Sequence, residues 1–331
     1  MKRTITDYVG QTPLVFLSDI SSKIPANIFL KLENMNPWNS VKDRIAKNII
    51  EKAEQSGEIT EKTHIIEATS GNTGISLAGV CASRGYKLTI VMPEFVSEER
   101  KLLLALMGAN IVLTPESQGL LGPVAKSFEL ADEDPNSFIV DQTRNTNNPD
   151  AHIPTGQEIW DQLEGEVDYF VSASGTGGHL SGIGGYLKSK NAAIQVVAVE
   201  PKQAAVLSGQ VNVGEAEGNH GIIGIGPGFI PQTLNRDVID SVFVGSVDQG
   251  YRRAEEIIKT EGILIGVSTG AVIDAAIEIG SAPSMKNKNI VIIAASATER
   301  YLSTKLADNA REYLRQLPCT KALDKYMDML K

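Results

Sequence analysis

The chain has 331 residues, of which 42% are hydrophobic and 21% are charged, and its net charge is −9 at pH 7. This length predicts about two domains, because one small core rarely serves so long a chain. The acidic balance argues against nucleic acid or an acidic membrane surface as a partner. No run approaches the ~20 apolar residues that a membrane span needs.

The N-terminal stretch MKRTITDYVGQTP contains basic residues but no apolar segment behind them, so we expect no signal peptide. Cys81 and Cys319 lie far apart in the sequence, which predicts neither a disulfide framework nor a metal site. These features are typical of a cytoplasmic protein.

Short apolar runs alternate with helix-length segments along most of the chain. The runs are apolar throughout, as strands covered on both faces are: HIIEA (64–68), KLTIVM (87–92), NIVL (110–113), SFIV (137–140), YFVS (169–172), VVAV (196–199) and IVIIA (290–294). Helices are predicted from about Ile75 to Arg84 and from about Glu98 to Met107, each followed by a glycine. This alternation predicts an α/β fold with open, mostly parallel twisted sheets.

Two polar stretches interrupt this pattern. Residues 132–150 are rich in Pro, Asn and Asp, and we predict a junction between two domains there. Residues 208–228 are polar, rich in glycine and too long for a turn, and loops of that length are usually functional. From residue 305 onward the sequence predicts a helical tail.

Three glycine-rich turns each precede a predicted helix. SGNTG (70–74) offers backbone N–H groups and polar side chains that suit a carboxylate, although a plain strand-to-helix turn fits it equally well. GTGGH (175–179) allows close backbone approach and adds the Thr176 hydroxyl, which suits a phosphate. In GVSTGA (266–271), Ser268 taken alone is most simply a helix cap.

Lys42 lies in NSVKDR (39–44), at the start of a predicted helix. Most lysines are solvated surface groups, but the positive end of a helix dipole opposes protonation of a lysine in the first turn. Arg44 acts in the same direction and Asp43 in the opposite one. A lowered pKa is what an imine-forming lysine needs.

Two anion-binding turns and a lysine placed for an imine together predict an enzyme that uses pyridoxal 5′-phosphate (PLP) on an α-amino acid. From GQTPL (10–14) to ERYLST (299–304), the chain resembles the cysteine synthases (O-acetylserine sulfhydrylases), which are fold-type II PLP enzymes. The other motifs that carry the resemblance are KLE (31–33), Asn36 with Pro37, SVKDRIA (40–46), TSGNTG (69–74), Asn148 with Pro149, His152, EIW (158–160), VEP (199–201), GIG (224–226), GFIP (228–231) and EGIL (261–264).

The resemblance implies a fold like that of the tryptophan synthase β-subunit, with two three-layer domains. Residues 41–150 would form a smaller, mobile substrate-binding domain. Residues 1–40 and 151–304 would form a larger cofactor-binding domain, followed by the tail at 305–331. The resemblance also implies a homodimer and no metal.

The resemblance further implies roles for single residues. Lys42 would form the imine with PLP, Asn72 would bond its 3′-oxygen and Ser268 its pyridine nitrogen. The cofactor phosphate would lie on a turn made of Gly175, Thr176, Gly177, Gly178 and His179. The substrate would be held by Thr69, Ser70, Asn72, Thr73 and Gln142, and Gly224 would lie in the loop that closes over it.

The implied reaction is a β-replacement that makes L-cysteine from O-acetyl-L-serine and sulfide. Once the amino acid has displaced Lys42 from the cofactor, Lys42 would remove the Cα proton as general base. Loss of the β-substituent would give an aminoacrylate, to which sulfide or another thiol adds. The Ser268 hydroxyl cannot keep the pyridine nitrogen protonated, which favours direct loss of the leaving group over a long-lived carbanion.

Several positions near the expected pocket depart from the family pattern. Thr143 replaces an apolar wall, and the adjacent Arg144 is either a surface residue or a partner for an anionic leaving group such as phosphate. His179 stands where a phosphate-binding threonine is usual, as a substitute donor or as an added positive charge. Gly221 stands where a lysine usually follows the histidine, which weakens the expectation of the usual substrate contacts and of serine acetyltransferase as a partner. Together with Thr298, in place of a common glycine, these changes predict an altered substrate or nucleophile.

Two alternatives stay open at the level of the sequence. One keeps the scaffold but acts on O-phosphoserine, serine or cysteine, as a cystathionine β-synthase-like, cyanoalanine-forming or sulfide-releasing enzyme. The other is a non-catalytic protein that binds a partner or a metabolite. Retention of Lys42, Asn72 and Ser268 argues against the second alternative, because a binding protein needs no imine-forming lysine.

Overall fold

The computed structural model describes residues 3–119, 121–217 and 220–318, in which ten strands form two sheets. The larger sheet has the order β1 (Leu14–Phe16), β2 (Asn27–Lys31), β10 (Asn289–Ile293), β7 (Tyr169–Ala173), β8 (Gln195–Pro201) and β9 (Ser241–Gly245). The smaller sheet has the order β5 (Asn110–Thr114), β4 (Lys87–Pro93), β3 (His64–Ala68) and β6 (Ser137–Ile139). All neighbouring strands are parallel except β1 and β2. The predicted α/β class is therefore confirmed.

Helices connect most of these strands. In chain order they are α1 (Ser18–Ser21), α2 (Lys42–Ser56), α3 (Asn72–Arg84), α4 (Glu98–Leu106), α5 (Leu121–Glu133), α6 (Asn147–Asp150), α7 (Ile153–Gln162), α8 (Gly178–Lys190), α9 (Val247–Thr260), α10 (Val267–Gly280) and α11 (Asp308–Gln316). No helix among the described residues is long and apolar enough to cross a membrane.

The local patterns account for these elements. All seven predicted strands are present. α3 ends at the left-handed Gly85, with φ 81°, and the left-handed Gly108, with φ 82°, follows the end of α4 after Met107. Every residue of β10 is buried because helices cover both faces of the larger sheet. Its side chains alternate between two apolar clusters: Ile290 and Ile292 pack with α9 and α10, and Val291 and Ile293 pack with α8.

The smaller sheet lies entirely within residues 64–139 and packs with α2 and α3 in a third apolar cluster. The stretch 132–150 contains the end of α5, then β6 and α6. The division into domains at residues 41 and 150 stays a prediction. In the predicted tail, Lys305–Ala307 and α11 are helical, and residues 319–331 lie outside the described part of the chain.

Both sheets direct the carboxyl ends of their parallel strands to glycine-rich turns. β3 leads into residues 69–74 at the start of α3, and β7 leads into residues 174–178 at the start of α8. Ligands of open α/β sheets bind outside these carboxyl ends. The fold therefore places both predicted anion-binding turns where a ligand is expected.

Candidate active site

Lys42 is the first residue of α2, and its side chain is half-buried. Its amine makes no hydrogen bond or ion pair within the described part of the chain. Burial is therefore what lowers the pKa of Lys42, to about 8. A larger neutral fraction makes this amine a better nucleophile and a better base than an ordinary lysine.

The start of α2 is fixed to the larger sheet and to α3. Val41 N donates to Ala295 O at 2.9 Å, just beyond the end of β10. On the other side of Lys42, Asp43 Oδ1 lies 2.5 Å from Ser76 Oγ, one turn into α3. Burial raises the pKa of Asp43 to about 7. These contacts hold Lys42 beside the first turn of α3, which begins at Asn72.

Asn72 and Ser268 both stand at the beginning of a helix. Asn72 is the first residue of α3, and Ser268 is the second residue of α10 and is buried. Neither side chain forms a hydrogen bond with another described residue. Next to Ser268, Thr269 Oγ1 accepts a hydrogen bond from Ala295 N at 3.2 Å. The backbone of Ala295 is thus hydrogen-bonded to Val41 and to Thr269, the residues next to Lys42 and Ser268. This brings Lys42 and Ser268 to one edge of the sheet.

The turn after β7 forms a cradle of backbone. Gly177 has φ 82°, and a Cβ added at Gly178 would lie 1.8 Å from Asn148 Oδ1. None of the N–H groups of residues 175–179 donates to another described residue, and they precede the first intrahelical bonds of α8. Free N–H groups at a helix N-terminus attract an anion. The turn therefore fits a phosphate group such as that of PLP.

The predicted substrate-binding residues come from two segments that touch each other. Thr73 Oγ1 donates to Gln142 Oε1 at 2.6 Å. Within the first segment, Gly71 N donates to Thr69 Oγ1 at 3.3 Å, and Ser70 O accepts from Arg100 Nη1 at 3.2 Å. The structure thus brings Gln142 to the turn at 69–73, where polar groups can surround a carboxylate.

Gly224 lies directly against the phosphate turn. It has φ 94°, and its carbonyl oxygen would lie 2.3 Å from a Cβ placed on Gly175. This close backbone approach explains the glycine at position 175, since any side chain there would collide with the loop. The long polar loop therefore reaches the cradle, as its predicted role requires.

Asn148 links the phosphate turn to Gln142. Its Nδ2 donates to Gln142 O at 2.6 Å and to Thr176 Oγ1 at 3.1 Å. The sequence marks Asn148 only as part of a motif and gives it no role. Because Thr176 lies 28 residues from Asn148 in the chain, local sequence signals could not have revealed this link.

His179 is buried beneath the cradle. Its Nε2 lies 2.8 Å from Ser172 Oγ on β7, and its ring lies edge-on to that of His152 at 5.8 Å between centroids. Burial and the charge of Lys42 lower the pKa of His179 to about 3, and burial likewise lowers the pKa of His152. Burial thus favours a neutral His179, which supports a substitute donor over an added positive charge at the phosphate site.

The other departures from the family pattern have partners within the chain. Arg144 is 48% exposed and its Nε lies 2.5 Å from Asp141 Oδ2, an arrangement typical of a surface ion pair. Thr143 Oγ1 donates to Asp141 Oδ1 at 3.1 Å. Thr298 is buried, and its hydroxyl donates to Ile265 O at 2.9 Å, next to the start of α10.

Near the site lies a buried ion cluster formed by Lys31, Glu33, Arg44 and Glu158, which the sequence did not predict. Arg44 donates two hydrogen bonds to Glu33, both 2.7 Å, and two to Glu158, both 2.8 Å. Lys31, fully buried at the end of β2, lies 2.7 Å from Glu158. The motifs KLE, SVKDRIA and EIW each supply part of this cluster, which gives them a structural reason.

The described residues contain no group of three or more His, Cys, Asp or Glu side chains that could hold a metal ion. Cys81 is buried and forms no disulfide with a described residue.

Comparison with known proteins identifies the relatives of this chain. The profile of the family described as pyridoxal-phosphate dependent enzyme matches residues 5–296. A cysteine synthase of Staphylococcus aureus is 45% identical over 91% of this chain and 96% of its own length. A cysteine synthase of Buchnera aphidicola is 44% identical over 90% of this chain and 95% of its own length.

Solved structures of related enzymes also resemble this chain over nearly its whole length. A cysteine synthase from Entamoeba histolytica has a TM-score of 0.88 and 36% identity, and the match covers 97% of this chain and 93% of that chain. An O-ureido-L-serine synthase also has a TM-score of 0.88, with 34% identity and 99% of both chains covered.

Proposed function

Because the chain belongs to the family of pyridoxal-phosphate-dependent enzymes, we propose that it is a cysteine synthase that makes L-cysteine from O-acetyl-L-serine and sulfide. The observation that carries this proposal is the half-buried, unpartnered amine of Lys42, held beside two helix N-termini that suit a phosphate and a carboxylate. Similarity to cysteine synthases over nearly the whole chain supports the same reaction.

The cradle fits the cofactor, and we propose that residues 175–178 hold its phosphate through backbone N–H groups. Ser268 would meet the pyridine nitrogen, Asn72 the 3′-oxygen and Lys42 the aldehyde carbon. When bound, PLP withdraws electrons from the Cα of an amino acid, which makes its proton acidic and its β-substituent able to leave. His179 would support the turn through Ser172.

The substrate carboxylate would be held by the turn at 69–73 and by Gln142. Lys42, as a free amine, would take the Cα proton and later return one, because burial places its pKa near the working pH. Gly224 and its loop would exclude water from the reacting β-carbon. Exclusion of water favours addition of sulfide over addition of water at that carbon.

We also propose that the protein is a homodimer in the cytoplasm. Large apolar side chains are exposed on neighbouring elements α4, β5 and α5, among them Leu106 at 83% and Leu121 at 79% exposure. Exposed apolar surface of this kind supports an interface with a second copy of the chain. Sedimentation of the purified protein gives twice the chain mass if the proposal is right, and the mass of one chain contradicts it.

Visible absorbance of the purified protein tests the reaction. We expect a cofactor band that changes on addition of O-acetylserine and returns when sulfide is added, with cysteine as the product. A band that ignores O-acetylserine but responds to O-phosphoserine, serine or cysteine would contradict the proposed substrate. Absence of any cofactor band after incubation with PLP would contradict the cofactor assignment as well.

A further inference from the structure

Glu67, in β3, is a buried carboxyl group to which the proposed reaction gives no role. Its side chain is 2% exposed, and it stands two residues before the turn that starts at Thr69. Burial raises the pKa of Glu67 to about 8, although hydrogen bonds from Asp141 and Gln142 oppose the shift. Burying an ionisable group is costly unless it is hydrogen-bonded, paired or neutral.

Both carboxyl oxygens of Glu67 accept hydrogen bonds from the segment that carries Gln142. Asp141 N donates to Oε2 at 2.8 Å, and Gln142 Nε2 donates to Oε1 at 3.1 Å. On its other side, the Gln142 amide accepts a hydrogen bond from Thr73 Oγ1 at 2.6 Å. The carbonyl and the amino group of this amide therefore each have a defined partner, which fixes the amide orientation.

The backbone next to Gln142 also depends on Glu67. Asp141 has φ 48°, in the left-handed region that non-glycine residues adopt only at a conformational cost. Its N–H group is directed at Glu67, so the carboxyl holds the strained residue in place. With a pKa of about 8, Glu67 is ionised above that pH, and the ionised carboxyl offers two acceptor oxygens in one plane, whereas the amide of a glutamine offers one. Glutamate is thus better suited than glutamine to this position.

We propose that Glu67 is a positioning residue for the amino-acid substrate, which it serves by holding the Gln142 amide with one N–H directed at the α-carboxylate. The inference rests on the proposed function, in which Gln142 binds that carboxylate. Glu67 acts only through Gln142. Because the carboxylate is bound alike in the ground state and the transition state, weaker binding raises KM and leaves kcat nearly unchanged.

Steady-state kinetics of the holoenzyme with Glu67→Gln, measured above pH 8 where Glu67 is ionised, test this inference. We expect the KM for O-acetylserine to rise about 10- to 100-fold, as for loss of a hydrogen bond to a charged group, with kcat and the KM for sulfide nearly unchanged.

Glu200→Gln is the matched control. Glu200 is 2% exposed near the end of β8, and both of its carboxyl oxygens also accept hydrogen bonds, here from the backbone N–H groups of Leu207 and Ser208, each at 2.9 Å. This substitution disturbs a similar buried carboxyl away from Gln142, so it is expected to leave both KM values unchanged.

A double-mutant cycle with Gln142→Ala decides whether Glu67 acts through Gln142. We expect the double variant to have the KM of Gln142→Ala alone, because no amide remains to be positioned. Independent, additive effects of the two substitutions would overturn the inference. An E67Q enzyme whose KM for O-acetylserine is unchanged would also overturn the inference, whether its kcat is normal or lowered. If the wild-type holoenzyme does not turn over O-acetylserine, the proposed function fails and this inference fails with it.

Discussion

The first turn of α2 carries two cationic side chains whose surroundings are opposite. Arg44 makes four hydrogen bonds with Glu33 and Glu158 in the buried ion cluster. Burial opposes its charge, but these carboxylates raise the pKa of Arg44. Lys42, two residues earlier, has no partner within the described part of the chain, and burial lowers its pKa to about 8.

The comparison distinguishes a cation that stabilises the fold, Arg44, from an amine that is available for reaction, Lys42. A buried cation whose nitrogens all donate to carboxylates holds segments together and is not available to a ligand. A desolvated amine without a partner is poor for stability, but it is available to form a bond or to take a proton. The ion cluster anchors α2, and the same helix then presents Lys42 to the cradle.

Loss of the Lys42 amine gives the largest expected effect on activity. Lys42→Ala is expected to lower kcat by at least about 10³-fold, because it removes both the covalent anchor and the base. Measured rates with O-acetylserine and sulfide test this. Lys47→Ala, one turn further along α2, is the matched control and should remain active. A Lys42→Ala enzyme with near-normal kcat would show that the Lys42 amine does not take part in the reaction.

Breaking the ion cluster should instead affect folding. Arg44→Met leaves buried Glu33 without its cation and Glu158 with Lys31 alone, and we expect a loss of about 3–5 kcal/mol in the free energy of unfolding. Arg253→Met is the control, because Arg253 pairs with Glu256 and Asp274 at the partly exposed surface, where such pairs contribute about 0–1 kcal/mol. Urea unfolding measures both losses. Equal losses for the two variants would show that the cluster has no special structural role.

Low pH should remove part of the stabilisation that the ion cluster gives to the folded state. Burial raises the pKa of Glu158, but Arg44 and Lys31 outweigh it and bring the pKa to about 2, below the ordinary 4.5. A depressed pKa stabilises the fold above the ordinary value, and this stabilisation is lost as the pH falls toward 2. The difference in unfolding free energy between wild type and Glu158→Gln should therefore shrink below pH 4.5. A difference independent of pH would contradict the ion-pair account.

The smallest expected effect concerns the stability of the protein without cofactor. A lysine whose pKa falls from 10.5 to about 8 on folding destabilises the fold below pH 8, and this penalty disappears as the pH rises to 10.5. Lys42→Met, which lacks the charge, should be more stable than wild type at pH 7. The gap should close between pH 8 and 10.5 in thermal unfolding. A variant less stable than wild type at pH 7 would show that Lys42 has a stabilising partner.

Local sequence patterns predicted much of the fold. Strands covered on both faces read as continuous apolar runs, and glycines mark the ends of α3 and α4. The three missed strands lack that signal: β1 has three residues, β2 ends in Lys31, and β9 lies at an edge of the sheet and is half-exposed for most of its length. Lys31 looks like a surface residue until its distant partner Glu158 is known.

In the candidate site, too, some features could be predicted from local sequence and others could not. The glycine-rich turns and Lys42 could be predicted because their chemistry lies in a few consecutive residues. The environments of Glu67, Asn148 and His179 could not, since they depend on contacts between segments far apart in the chain. The neutrality of His179 in particular follows from burial, which its neighbours in sequence do not reveal.

The central claim is that Lys42 is the residue that binds the cofactor. Borohydride reduction of the holoenzyme, followed by proteolysis and mass spectrometry, tests it most directly. We predict that the reduced cofactor is attached to the peptide that contains Lys42 and that it is absent from the Lys42→Ala variant. Attachment to any other lysine, or an unmodified Lys42 in a reduced holoenzyme, would contradict the account.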